Sequence, residues 1–161
     1  MLDALINEHG RRLYGLARRL CRNREDAEDL YQETWLKAYR FLDRYDDSRD
    51  FGAWLTGICV NCYRDMRRRQ KWLFLFPSFR TNEAKDSVLA SVPAEITPDH
   101  IDVRTAVNAL PEKYRLAVVL HYFLGMDVKK TSEALRIPEG TAKYHLYKAR
   151  EILRGRLDNN G

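Results

Sequence analysis

Asp26-Ala27-Glu28-Asp29-Leu30-Tyr31-Gln32-Glu33-Thr34-Trp35-Leu36-Lys37-Ala38-Tyr39 is the stretch that decides how the chain is read. Its apolar residues recur at helical spacing. Projected at about 100° per residue, residues 25 to 42 place Ala27, Leu30, Tyr31, Thr34, Trp35, Ala38, Phe41 and Leu42 in one contiguous arc, the expected core face. The opposite arc holds Glu25, Asp26, Asp29, Gln32, Glu33, Lys37 and Arg40. Leu36 falls in the middle of that polar arc. The pattern suits a solvated acidic face with one surface leucine, and surface leucines are common. It also suits a docking surface for a basic partner helix, with Leu36 as the apolar contact. On the pattern alone the solvated face is the simpler reading.

Upstream, Leu2, Leu5, Ile6, His9, Leu13, Leu16, Ala17 and Leu20 share one side of a first helix. Asn23 is placed to cap the second helix, whose first turn carries Glu25 and Asp26 where carboxylates favour the dipole. That helix is expected to run to about Leu42. Residues 43 to 50 are charged and turn-like. A third helix starts near Phe51 and ends in the basic run Arg67-Arg68-Arg69-Gln70-Lys71. Phe51, Leu55, Ile58, Cys62 and Met66 form its core face, with Trp54 and Cys59 beside it. The far side carries Ala53, Gly57, Asn61, Arg64, Arg67 and Arg68. Small residues followed by an amide and arginines allow close approach of something bulky and anionic, and arginines neutralise phosphates. Tyr45, in the loop before, is able to stack on an unpaired base. A polar helix face with a cationic C-terminal end accounts for the same residues equally well.

Beyond the basic run, Pro77, Pro93 and Pro98 break the pattern, and residues 73–98 read as a linker, whose apolar start suits an extension of the third helix or docking on a partner better than a free linker. Helical spacing returns from Asp102 to Leu110. Pro111 suits the first turn of the next helix, which Gly125 ends. Asp127 caps a short helix through Leu135, and a turn over residues 136–140 leads into a last helix, Thr141 to Leu157. The expected fold is all-α, with two small helical domains, 1–72 and 99–161, joined by a flexible linker. Residues 127 to 150 have the layout of a helix-turn-helix. In its second helix Ala142, Leu146, Ala149 and Leu153 make a core stripe, while Lys143, Tyr144, Tyr147 and Lys148 project elsewhere. That exposed mixture suits a major groove, although a plain helical hairpin shows the same layout.

Composition narrows the function. The chain has 161 residues, 45% hydrophobic and 32% charged, as for a globular protein with a sizeable core. Its net charge of +5 is compatible with nucleic acid. No stretch is long and apolar enough to span a membrane, and the start lacks the pattern of a signal peptide, so a cytoplasmic location is expected. The odd count of cysteines, Cys21, Cys59 and Cys62, in a chain expected in the cytoplasm argues against a disulfide framework, and Cys59 and Cys62 have no second pair or nearby histidine to complete a metal site. No nucleophile–base arrangement and no phosphate-binding glycine loop is present. Neither catalysis, a metal nor a cofactor is expected.

Four stretches, in order, resemble one family. Residues 26–39 are similar to the conserved stretch of sigma region two. Phe51-Gly52-Ala53-Trp54-Leu55, then Asn61, Asp65 and the arginine run, resemble its promoter-reading helix. Leu110-Pro111-Glu112-Lys113-Tyr114-Arg115 resembles the opening of sigma region four. Ile137-Pro138-Glu139-Gly140-Thr141-Ala142-Lys143 and Lys148-Ala149-Arg150 resemble its recognition helix. The absence of further sigma regions points to the extracytoplasmic-function class. The resemblance implies a non-enzymatic subunit that directs RNA polymerase to promoters in response to an envelope or stress signal. It implies that Asp26, Asp29, Gln32, Glu33 and Leu36 bind the clamp helices of the largest core polymerase subunit. Tyr45, Asn61, Arg64, Arg67 and Arg68 would meet the minus-ten element, duplex and single-stranded, and flipping a base out costs a few kcal/mol that the site must recover. Thr141, Lys143, Tyr144, Tyr147 and Lys148 would read the minus-thirty-five duplex. The linker would thread into the polymerase, and an anti-sigma factor is an expected partner. The chain departs from the family at Arg136, usually glycine, at Lys130, usually glutamate, and at Tyr144-His145, usually Ser-Arg. The rival expectation is a stand-alone helix-turn-helix regulator, which leaves the acidic helix and the Asn61 face without a purpose.

Overall fold

The computed structural model describes residues 2–77 and 103–158. Every regular element among them is helical. The chain divides into two compact units, Met1–Ala94 and Glu95–Gly161.

The first unit packs three helices against one another: α1 (Leu2–Leu20), α2 (Arg24–Arg40) and α3 (Phe51–Leu75). Asn23 caps α2 as expected, its Oδ1 accepting from the Asp26 amide at 2.8 Å. Its side-chain Nδ2 also donates to Asp26 Oδ2 at 3.1 Å. Asp50 caps α3 through the Gly52 amide. Leu16, Leu20, Leu30, Val60, Cys59 and Cys62 are fully buried between the helices. Truncating such a leucine to alanine costs roughly 2–5 kcal/mol, so these residues hold α2 and α3 in place. Buried Thr34 satisfies its hydroxyl by donating to the Leu30 carbonyl at 2.7 Å.

Four expectations for this unit change. α2 stops at Arg40 rather than Leu42, and a 3₁₀ turn, Leu42–Arg44, follows. Phe41 is exposed instead of buried, because it lies past the last full turn of α2, and the Arg44 guanidinium covers its ring at 5.4 Å. Ile58 is only half-buried. α3 also continues past the basic run through Trp72-Leu73-Phe74-Leu75, into the start of the expected linker. The rest of that linker, from residue 78 to 98, lies outside the described residues.

The second unit contains α4 (Val103–Asn108), α5 (Glu112–Val118), α6 (Val128–Leu135) and α7 (Glu139–Asp158). Pro111 sits at the N-cap of α5. After Val118 the chain widens into a π-helical turn, Val119–Phe123, where the Leu124 amide reaches back to the Val119 carbonyl. Gly125 ends it with φ +69°, a backbone state that glycine adopts freely. Asp127 caps α6 through the Lys130 amide at 2.7 Å. Leu116, Leu120, Leu135 and Leu146 are the large fully buried side chains, so α7 is anchored along Ala142, Leu146 and Ala149. Leu153, expected in that stripe, is half-buried.

Candidate functional site

The acidic face of α2 is not uniform. Asp29, Gln32 and Leu36 are exposed, Leu36 to 65%, and none of the three has a polar partner among the described residues. They follow one another at successive turns of a single strip, a carboxylate, then an amide, then an apolar side chain. Asp26, Glu33 and Lys37 occupy the neighbouring strip and face α3. Gln70 Nε2 donates to Asp26 Oδ2 at 3.0 Å, Arg69 pairs with Glu33 at 3.4 Å, and Lys37 pairs with Asp65 at 3.5 Å. Asp65 also holds Arg68. Burial works against ionising the Asp65 carboxyl, but Arg68 and Lys37 outweigh it and hold the carboxyl below its ordinary range. These polar rungs run between two antiparallel helices. Asp65, Arg69 and Gln70 as partners of α2 were not identified from sequence, because contacts across 28 to 44 residues leave no local signal.

Of the residues expected to meet the minus-ten element, four lie on α3 and Tyr45 lies in the loop before it. Asn61 is half-buried, as are Arg64 and Arg67, and Arg68 is exposed. Arg67 donates to Gln70 Oε1 at 3.2 Å. Tyr45 is more constrained than a loop residue held ready to stack. Its ring packs edge-on against Phe51 at 5.3 Å and tilted on Trp54 at 5.0 Å, and its hydroxyl donates to the Arg49 carbonyl. His9 completes the cluster against Phe51 at 4.9 Å. Partial burial, followed by Asp47, Asp50 and Asp46, pushes the Tyr45 phenol above its usual value.

On α7, Lys143, Tyr144 and Tyr147 are exposed, the two tyrosines to 52% and 57%. Thr141 is half-buried one turn ahead. Lys148 pairs with Glu151 at 3.3 Å and lies 6.0 Å from the Tyr144 ring centre. The Glu151 hydrogen bond and charge raise its pKa above the ordinary value. His145 turns inward to meet Tyr114 edge-on at 5.4 Å. Its Nδ1 is buried without a hydrogen-bond partner among the described residues. Burial, then Lys113, lower its pKa.

Cys59 and Cys62 are both buried. Burial pushes the Cys59 thiol up to about 12, which keeps it protonated and poor as a nucleophile or ligand. No cluster of three metal-ligating side chains occurs among the described residues. None of the described helices is long and apolar enough to cross a membrane.

Comparison with known proteins agrees with this geometry. The profile of Sigma-70 region 2 matches residues 5–73, and that of Sigma-70, region 4 matches residues 100–153. The ECF RNA polymerase sigma factor SigM of Mycobacterium tuberculosis is 31% identical over 94% of this chain and 74% of its own length. SigE of Mycolicibacterium smegmatis is 33% identical over 96% of this chain, which spans 61% of that relative. Among solved structures, the sigma factor RpoE of Bartonella quintana, crystallised with the anti-sigma factor NepR, shares the fold with a TM-score of 0.74. It is 24% identical over 97% of this chain and 96% of its own. Two regional profiles in the expected order, together matching most of the chain, and a relative matched along most of both chains show the family: the chain belongs to the ECF RNA polymerase sigma factors.

Proposed function

We propose that the first unit docks on core RNA polymerase through the exposed strip of α2, and that the two units then read the two promoter elements. The observation that carries this reading is Leu36, 65% exposed one turn beyond Gln32 and two turns beyond Asp29, on a helix that buries Leu30 and Trp35 and exposes only Tyr39 to the same degree among its large apolar residues. A solvated leucine gains nothing there, whereas an apolar contact ringed by carboxylate and amide is how a partner helix is recognised. The partner is the clamp-helix pair of the largest core subunit. Asp26 and Glu33 serve the same interface from its edge while remaining tied to α3.

Promoter opening is assigned to α3 and the loop before it. Asn61 meets the edge of an extruded minus-ten base, Arg64, Arg67 and Arg68 neutralise adjoining phosphates, and Tyr45 with its aromatic neighbours supplies the wall of the pocket. Thr141, Lys143, Tyr144, Tyr147 and Lys148 face the minus-thirty-five major groove from α7. The protein performs no chemistry of its own in this scheme. A partner that holds the free subunit inactive, of the kind seen with the Bartonella quintana sigma factor, completes it.

The test is reconstitution. Core polymerase plus this chain should select promoters from a randomised duplex library, and the chain alone should select none. Selection by the chain without polymerase would instead make it a free-standing regulator.

A further inference from the structure

Arg136 is the only described non-glycine residue with a positive φ, at φ 57° and ψ 45°. It sits in the turn between α6 and α7. The way α6 closes imposes that conformation: the Arg136 amide donates to the Glu133 carbonyl at 3.2 Å, and the Ile137 amide reaches the Ser132 carbonyl at 3.1 Å. This pair of bonds requires the residue after the helix to be left-handed, which glycine does without a steric penalty. An L side chain crowds the following carbonyl there. The backbone therefore favours glycine, and the arginine needs another reason.

Its side chain supplies one. Arg136 is exposed and makes no side-chain hydrogen bond or ion pair with any described residue. α7, with exposed Lys143 and Tyr144 near its start, begins three residues later, while Lys129 and Lys130 are exposed on α6. Glu133 and Glu139 are the acidic side chains nearest in sequence, and both are exposed rather than paired with it. In a helix-turn-helix the start of the second helix enters the major groove, so the turn before it comes near the groove's phosphate edge. A guanidinium is suited to two-pronged phosphate binding. We propose that Arg136 is a phosphate-contacting residue, kept in a left-handed position because its side chain grips the DNA backbone beside the site read by α7. This rests on the DNA-reading role proposed for α7.

The test uses the full chain and a mixed-sequence duplex of about three helical turns, with binding followed by fluorescence anisotropy between about 50 and 200 mM salt. Arg136→Gly should weaken binding several-fold and lower the salt slope by about one unit. Its melting temperature should be equal or higher, since glycine relieves the backbone. Arg136→Gln keeps the backbone crowding, removes the charge and should lose the same slope, whereas Arg136→Lys should retain it. Lys143→Ala runs in parallel. If it loses slope while Arg136→Gly and Arg136→Gln keep that of the native chain, the inference about Arg136 is overturned. If Lys143→Ala also binds like the native chain, the role of α7 fails first.

Discussion

Glu33 on α2 and Arg69 on α3 lie 3.4 Å apart, and this pair separates two kinds of residue on one acidic helix. Arg69 is 65% exposed and Glu33 33%, so the pair is worth about 0.2–1 kcal/mol. Its importance is positional. Together with the Asp26–Gln70 and Lys37–Asp65 contacts it occupies one strip of α2 and leaves Asp29, Gln32 and Leu36 open on the next.

Substitutions on the two strips should therefore behave differently. Asp29→Lys and Leu36→Ala are expected to abolish co-purification with core polymerase and leave the melting temperature unchanged. Glu33→Lys should weaken polymerase binding and also lower the melting temperature slightly, because it sets a second cation beside Arg69. Pull-down with core enzyme and thermal melts by circular dichroism give both readouts. Unimpaired binding by the Asp29→Lys, Leu36→Ala double variant would rule out this strip as the docking surface.

The promoter-opening residues divide in the same way. Asn61→Ala should leave stability alone and reduce open-complex formation far more than closed-complex affinity. Tyr45→Ala should do both kinds of damage, since it empties a cluster with Phe51 and Trp54. Tyr45→Phe keeps the ring and should restore most of the melting temperature. Permanganate footprinting against closed-complex affinity makes the comparison. Equal losses in the two assays for Asn61→Ala would remove it from the base-capturing role.

On α7, Tyr144→Ser should change the preferred minus-thirty-five sequence, since a base-edge contact carries roughly 1–3 kcal/mol of discrimination. Lys148→Ala should weaken all promoters alike. Glu151 already pairs with Lys148, so Glu151→Gln should strengthen binding modestly and raise the salt slope. Selection from a randomised promoter library with holoenzyme reads all three. An unchanged selected sequence for Tyr144→Ser would show that this face does not read bases.

His145 should make the second unit sensitive to mild acid. Burial, then Lys113, hold its pKa below the ordinary 6.5, so the folded state resists the proton that the unfolded chain accepts. Its contribution is complete above about 6.5 and declines as pH falls from there through the lower folded value. His145→Phe keeps an aromatic contact with Tyr114 and removes the titration. Its melting temperature should fall less than that of the native chain between about pH 7 and pH 5. Parallel pH profiles for the two proteins would exclude His145 as the cause.

Much of this was legible from sequence alone because it is local. Helical spacing, the caps at Asn23 and Asp127, and the stop at Gly125 depend on residues within one turn of one another, where backbone geometry and side-chain reach are settled by neighbours in the chain. The isolated Leu36 could be seen for the same reason. Other features needed the packed helices. Asp26 and Glu33 look like Asp29 until α3 is laid beside α2 and brings up Gln70 and Arg69 from 44 and 36 residues away. Tyr45 looks like a free loop aromatic until Phe51 and Trp54 close on it. Arg136 looks like an ordinary departure from glycine until the hydrogen bonds that end α6 force its backbone left-handed. Periodicity tells which side of a helix is apolar; only the neighbouring helix decides which polar side chains spend their charge inside the fold and which keep it for a partner.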